Sequence, residues 1–145
     1  MTDCTGTPSR RGLLAAAAPG LAVAATAAAA AAPRDVGLAE LKKEADIACL
    51  YHCDFGDAAR FEQMLTNIAN HYSAYDADPF ALQLAIVAHG AGVKFFLKDL
   101  EGTAWAGDAA AMKSFDRVEA LAKNGLKVHL CEITFQRNRI DKAKA

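Results

Sequence analysis

Phe80-Ala81-Leu82-Gln83-Leu84-Ala85-Ile86-Val87-Ala88 runs nine residues with one polar interruption and ends on His89-Gly90-Ala91-Gly92. An apolar run of this length, bounded by the breaker segment Ser73–Pro79 and by glycines, reads as a strand covered on both faces, which is how strands of a parallel sheet sandwiched by helices read. Upstream, Ile47–Tyr51 is apolar and β-capable, and it stops at the polar cluster His52-Cys53-Asp54-Phe55-Gly56-Asp57. Asp57 then caps a helix whose Phe61, Leu65, Ile68 and Tyr72 share one face at spacings of three, four and seven. Downstream, Val93–Leu97 is a short helical candidate and Lys98–Gly107 an exposed loop carrying Trp105. Asp108 caps a second helix with Ala111, Phe115, Val118 and Ala122 on one face, stopped at Asn124-Gly125. Leu126–Cys131 is a third strand, and Thr134–Ile140 reads as a polar, basic turn. The order strand, helix, strand, short helix, helix, strand predicts an α/β domain of three layers, Rossmann-like or flavodoxin-like, with a mostly parallel sheet.

The first residues read differently. Ser9-Arg10-Arg11-Gly12-Leu13-Leu14 opens an alanine-dominated run that reaches Ala32. A basic pair before a weakly apolar segment is the outline of a twin-arginine export signal over residues 1–32, leaving a domain over 33–145 and predicting a periplasmic protein. Without residues 1–32, which hold Arg10, Arg11 and Asp3, 14 basic and 16 acidic side chains remain. A surface with no cationic excess argues against nucleic acid as a partner. No later apolar stretch is long enough to span a bilayer. Neither G-x-G-x-x-G, a P-loop, G-x-S-x-G nor H-E-x-x-H occurs, so nothing points to a nucleotide cofactor or to hydrolase equipment.

Ligand-handling groups in open α/β sheets collect beyond the carboxyl ends of the strands. Three reactive side chains fall there: Cys53 after the first strand, His89 after the second and Cys131 at the end of the third. A thiol at Cys131 would have turn N–H groups and Arg137 or Arg139 to lower its pKa; its alternative is a small buried hydrophobe. Cys53 is either a partner thiol for Cys131 or an unengaged loop cysteine. Adjacent strands lie about 4.8 Å apart and a disulfide spans roughly 4.4–6.8 Å between Cα atoms, so a bridge requires the first and third strands to be neighbours. His89 serves either proton transfer or a structural hydrogen bond. Cys49, in mid-strand, reads as inert core, and His129 as a contact of a covering helix. The spacing Cys49-x-x-His52-Cys53 suggests zinc, but successive strand side chains face opposite ways and zinc wants four ligands, so no metal is expected.

Four stretches resemble the DsrE/DsrF-like family, small α/β proteins of sulfur oxidation and sulfur relay, and its exported single-domain members in particular. They are Ala48–Asp54, Leu65–Tyr72, Ile86–Val93 and Cys131–Thr134 with Arg139-Ile140. The resemblance implies a homo-oligomer and a sulfur carrier that holds a persulfide on Cys131, taking sulfur from a sulfane sulfur donor and passing it to an acceptor thiol. Two features depart from the family pattern: the cysteine at position 53, and a chain that stops at Ala145, before the further helix and strand such domains usually have. The alternative from another class is a non-catalytic binding or assembly module, with Phe95-Phe96-Leu97 and Trp105 as its subunit contacts.

Overall fold

The computed structural model describes residues 33–145; the export signal read over residues 1–32 lies outside the described residues. Three strands, β1 (Ile47–Cys53), β2 (Leu82–Ala88) and β3 (Lys127–Leu130), form a parallel sheet in the order β1-β2-β3. The connections are α1 (Ala58–Ala74) on one side of β2 in sequence, and the 3-10 segment Gly90–Phe96 followed by α2 (Ala109–Lys123) on the other. A third helix, α3 (Glu132–Asn138), follows β3 directly. The protein is thus α/β with a parallel sheet, as the element order predicts.

Both long helices start where an aspartate caps them. Asp57 accepts from the Arg60 N–H and Asp108 from the Ala111 N–H, each satisfying a first-turn donor that the helix leaves unpaired. With the strands in sequence order, right-handed crossovers put both helices on one face of the sheet. They touch there: the Ser114 hydroxyl donates to Glu62 at 2.6 Å and Arg117 pairs with the same carboxylate. Beneath them Phe61, Leu65 and Ile68 of α1 join Leu84, Ile86 and Ala88 of β2 in a fully buried core. Phe61 stacks on Phe95, with ring centroids 4.1 Å apart.

The other face is thinner. Burial alternates along β2, with Leu82, Leu84, Ile86 and Ala88 buried and Gln83, Ala85 and Val87 half-buried. The third layer is the lead-in before β1, extended chain with one 3-10 turn at Leu38–Glu40. Gln83 fixes it by accepting from the Glu44 N–H (2.8 Å) and donating to the Lys42 carbonyl (3.3 Å). Between this segment and the sheet lies an open cavity of about 390 Å³, with Ala48, Leu50, Ala85, Val87 and His129 on its floor. His129 therefore faces this cavity rather than a covering helix.

Two further expectations are corrected, those for Phe95–Leu97 and for the segment after Cys131. Phe95, Phe96 and Leu97 are 0 %, 4 % and 1 % exposed, so they are core and unavailable for subunit contacts. Trp105 is half-buried against that core. The segment after Cys131 is a helix and not a turn, held by the Asn138 side chain on the Thr134 carbonyl (2.8 Å) and closed by Arg139 at φ 53°. Among the described residues, no helix is long and apolar enough to cross a membrane.

Candidate functional site at the carboxyl edge of the sheet

The three strand ends are stapled in a row. The His89 N–H donates to the Cys53 carbonyl (3.0 Å), and the Cys131 N–H donates to the Ala88 carbonyl (2.9 Å). Gly90, at φ 54°, turns the chain out of β2 and donates its N–H to the Thr134 hydroxyl (3.0 Å), tying this turn to α3. Gly92 then passes so close to Cys53 that a Cβ there would lie 2.2 Å from the Cys53 carbonyl oxygen. Both glycines of His89-Gly90-Ala91-Gly92 have structural reasons, one of dihedral angle and one of space.

The two edge thiols have opposite environments. Cys131 is half-exposed and occupies the N-cap position of α3. The Thr134 backbone N–H, and after it the Thr134 hydroxyl, the Ile133 N–H and Arg137, hold its thiol below the ordinary value against a smaller opposing effect of burial. No capping hydrogen bond of normal geometry reaches its sulfur, so the effect is the field of several nearby donors. Cys53 is fully buried under α1 and the Gly90–Phe96 segment. Burial pushes its thiol up to about 12, with the Asp54 carboxylate adding to the effect.

Cys53 and Cys131 do not meet. β2 stands between β1 and β3, two strand spacings or roughly 9–10 Å, beyond disulfide reach. A buried thiol of high pKa is also a poor nucleophile. The partner role for Cys53 within one chain is therefore withdrawn, and its function is packing. Cys49 is half-buried against the core.

His89 has a partner that the sequence does not suggest. Its Nε2 lies 2.7 Å from Nε2 of His52, with ring centroids 4.8 Å apart. His52 and Asp54 are two apart at the end of β1 and project to the same side, opposite to Cys53 between them. A ligand atom from each of His52, Asp54 and His89 lies within 4.8 Å of the other two. His71, on α1, is engaged locally, its Nδ1 2.8 Å from the Tyr51 hydroxyl. Thr134 also belongs to the site; its signal in the sequence is the spacing Cys131-x-x-Thr134, an N-cap residue and the third residue of its helix.

These features define a class: a small parallel α/β domain with a solvent-reachable, acidified thiol and an imidazole pair at the carboxyl edge of its sheet. No family model matches the chain, and no curated protein matches it. A solved structure of similar fold is that of the protein of unknown function MTH1491 from Methanobacterium thermoautotrophicum. It superposes with a TM-score of 0.52 over 68 % of this chain and 75 % of that one, at 18 % identity.

Proposed function

We propose that the protein is a sulfur carrier whose Cys131 holds a persulfide, working in the periplasm after export. The observation that carries this reading is the contrast between the edge thiols: Cys131 is reachable and acidified, whereas Cys53 is sealed and held protonated. With thiosulfate as donor, the Cys131 thiolate attacks the outer sulfur, the S–S bond breaks and sulfite leaves with its electron pair, giving Cys-S-S⁻. An acceptor thiolate then attacks the outer persulfide sulfur, forms its own persulfide and regenerates the Cys131 thiolate. Neither step needs an oxidant, because the sulfane sulfur is transferred at constant overall oxidation state. Purified protein incubated with thiosulfate or polysulfide should gain about 32 Da per chain, a persulfide's added sulfur, and Cys131→Ala should gain none. No gain in the wild type, or an equal gain in C131A, overturns the proposal.

A second reading is favoured by one observation. Leu50, in the middle of β1 on the open sheet face, is 63 % exposed, and Ala48, two residues away on the same face, is exposed as well. An apolar patch on a sheet face suits self-association, so a homo-oligomeric assembly module is the alternative. In that case Leu50→Glu shifts the mass measured by light scattering to the monomer, while unchanged mass removes this face from the account.

A further inference from the structure

We propose that His52, Asp54 and His89 form a binding site for a divalent first-row transition-metal ion, with zinc the suitable probe. The proposal stands independently of any chemistry at Cys131. Two imidazoles whose Nε2 atoms are 2.7 Å apart bring two potential nitrogen ligands to one place. As a simple hydrogen bond the pair uses one donor and one acceptor. As ligands, both nitrogens turn lone pairs to the same cation. Zinc–nitrogen bonds of about 2.0–2.1 Å at a tetrahedral angle separate two ligand nitrogens by roughly 3.3 Å. The rings therefore need to part by only about half an ångström to admit the ion.

The third ligand is at hand. A carboxylate oxygen of Asp54 completes a group whose atoms all lie within 4.8 Å of one another. Asp54 and His52 are exposed and His89 is half-buried, so the remaining adjustment is rotation of side chains with free space. The backbone beneath them is fixed: His52 is in the β1 ladder opposite Val87, and the His89 N–H is bonded to the Cys53 carbonyl that separates His52 from Asp54. Strand ends fixed by ladder hydrogen bonds are a rigid base for a metal site. Two nitrogens and one oxygen suit zinc, copper, nickel and iron rather than calcium or magnesium. Three protein ligands on an exposed edge leave the fourth position open to water or a small anionic ligand, as in zinc sites that act on ligands rather than staple a fold.

The experiment uses the full chain, made without a polyhistidine tag, stripped with chelator and titrated calorimetrically with zinc chloride. One zinc per chain is expected. Loss of a mere supporting residue around a metal costs about 10–100-fold in affinity, so H52A and H89A should each weaken binding by at least about tenfold, and the double variant should abolish it. D54N should weaken it and C131A should leave it unchanged. Thermal unfolding of the stripped proteins checks the fold; should H89A unfold, H89Q and the exposed H52A decide. Absence of zinc binding by the wild type, full binding by H52A or the histidine double variant, or loss of binding in C131A overturns the site.

Discussion

Iodoacetamide at pH 7 labels Cys131 first and leaves Cys53 unlabelled for as long as the chain stays folded. Alkylation proceeds through the thiolate, so the ionised fraction sets the rate. With its thiol at about 12, Cys53 is about 10⁻⁵ ionised at neutral pH, against a few per cent for an ordinary thiol near 8.5, a deficit of roughly three-thousandfold before burial adds to it. Cys131 lies on the other side of the ordinary value, because the Thr134 N–H and hydroxyl favour its thiolate. Its labelling rate therefore rises with pH through a midpoint below that of a free cysteine. Timed labelling, acid quench and peptide mapping read Cys49, Cys53 and Cys131, the three cysteines of residues 33–145. Comparable rates at Cys53 and Cys131 in folded protein would contradict the assignment of which thiol is reactive.

Gly92→Ala destabilises the domain by about 3 kcal/mol, the upper end of what overpacking normally costs. The added Cβ would stand 2.2 Å from the Cys53 carbonyl oxygen, 2.7 Å from its carbonyl carbon and 2.8 Å from its sulfur. None of these is a flexible tip: the carbonyl accepts the His89 N–H, so relief of the clash has to pull the ends of β1 and β2 apart. A loss of this size lowers the melting temperature by on the order of 10 °C in a domain of this length. Gly102→Ala is the contrast, since at φ 71° with nothing within 4 Å it carries only backbone strain of about 1–2 kcal/mol. Equal melting temperatures for G92A and the wild type would show that the edge is looser than drawn.

Local pattern carried much of this architecture. The caps at Asp57 and Asp108 mark the starts of α1 and α2, the apolar spacing behind Asp57 marks the buried face of α1, and the run ending at Ala88 marks the central strand; the buried face of α2 is Ala111, Ser114, Val118 and Leu121 rather than the stripe through Phe115 and Ala122. α3 is not legible in the same way: it is about two turns of Glu132-Ile133-Thr134-Phe135-Gln136-Arg137-Asn138 with only Thr134 and Phe135 buried, too short for a periodic stripe. Nor does sequence distinguish a strand covered by two helix layers from one whose Gln83, Ala85 and Val87 lie beneath an extended lead-in, because small apolar residues suit both.

The site was legible by position and illegible by pairing. The rule that ligand-handling groups gather at carboxyl strand ends brings Cys53, His89 and Cys131 to one edge. Strand order decides who meets whom, and no local pattern encodes that β2 separates the two cysteines. The meeting of His52 with His89 depends on register, with Cys53 opposite Ala88, and on the Gly90 turn that follows. A two-residue offset between His52 and Asp54 is ordinary strand text until a second imidazole stands beside it.

A carrier of the kind proposed takes up a sulfane sulfur atom on Cys131 and gives it away. The most direct measurement loads the protein with polysulfide, removes the donor, adds an acceptor thiol and follows the mass of the Cys131 peptide throughout. That peptide should carry the additional sulfur after loading and lose it to the acceptor, with the Cys53 peptide unmodified at every stage. Sulfur found on another cysteine, none taken up, or a Cys131 adduct that no thiol can remove would contradict the account.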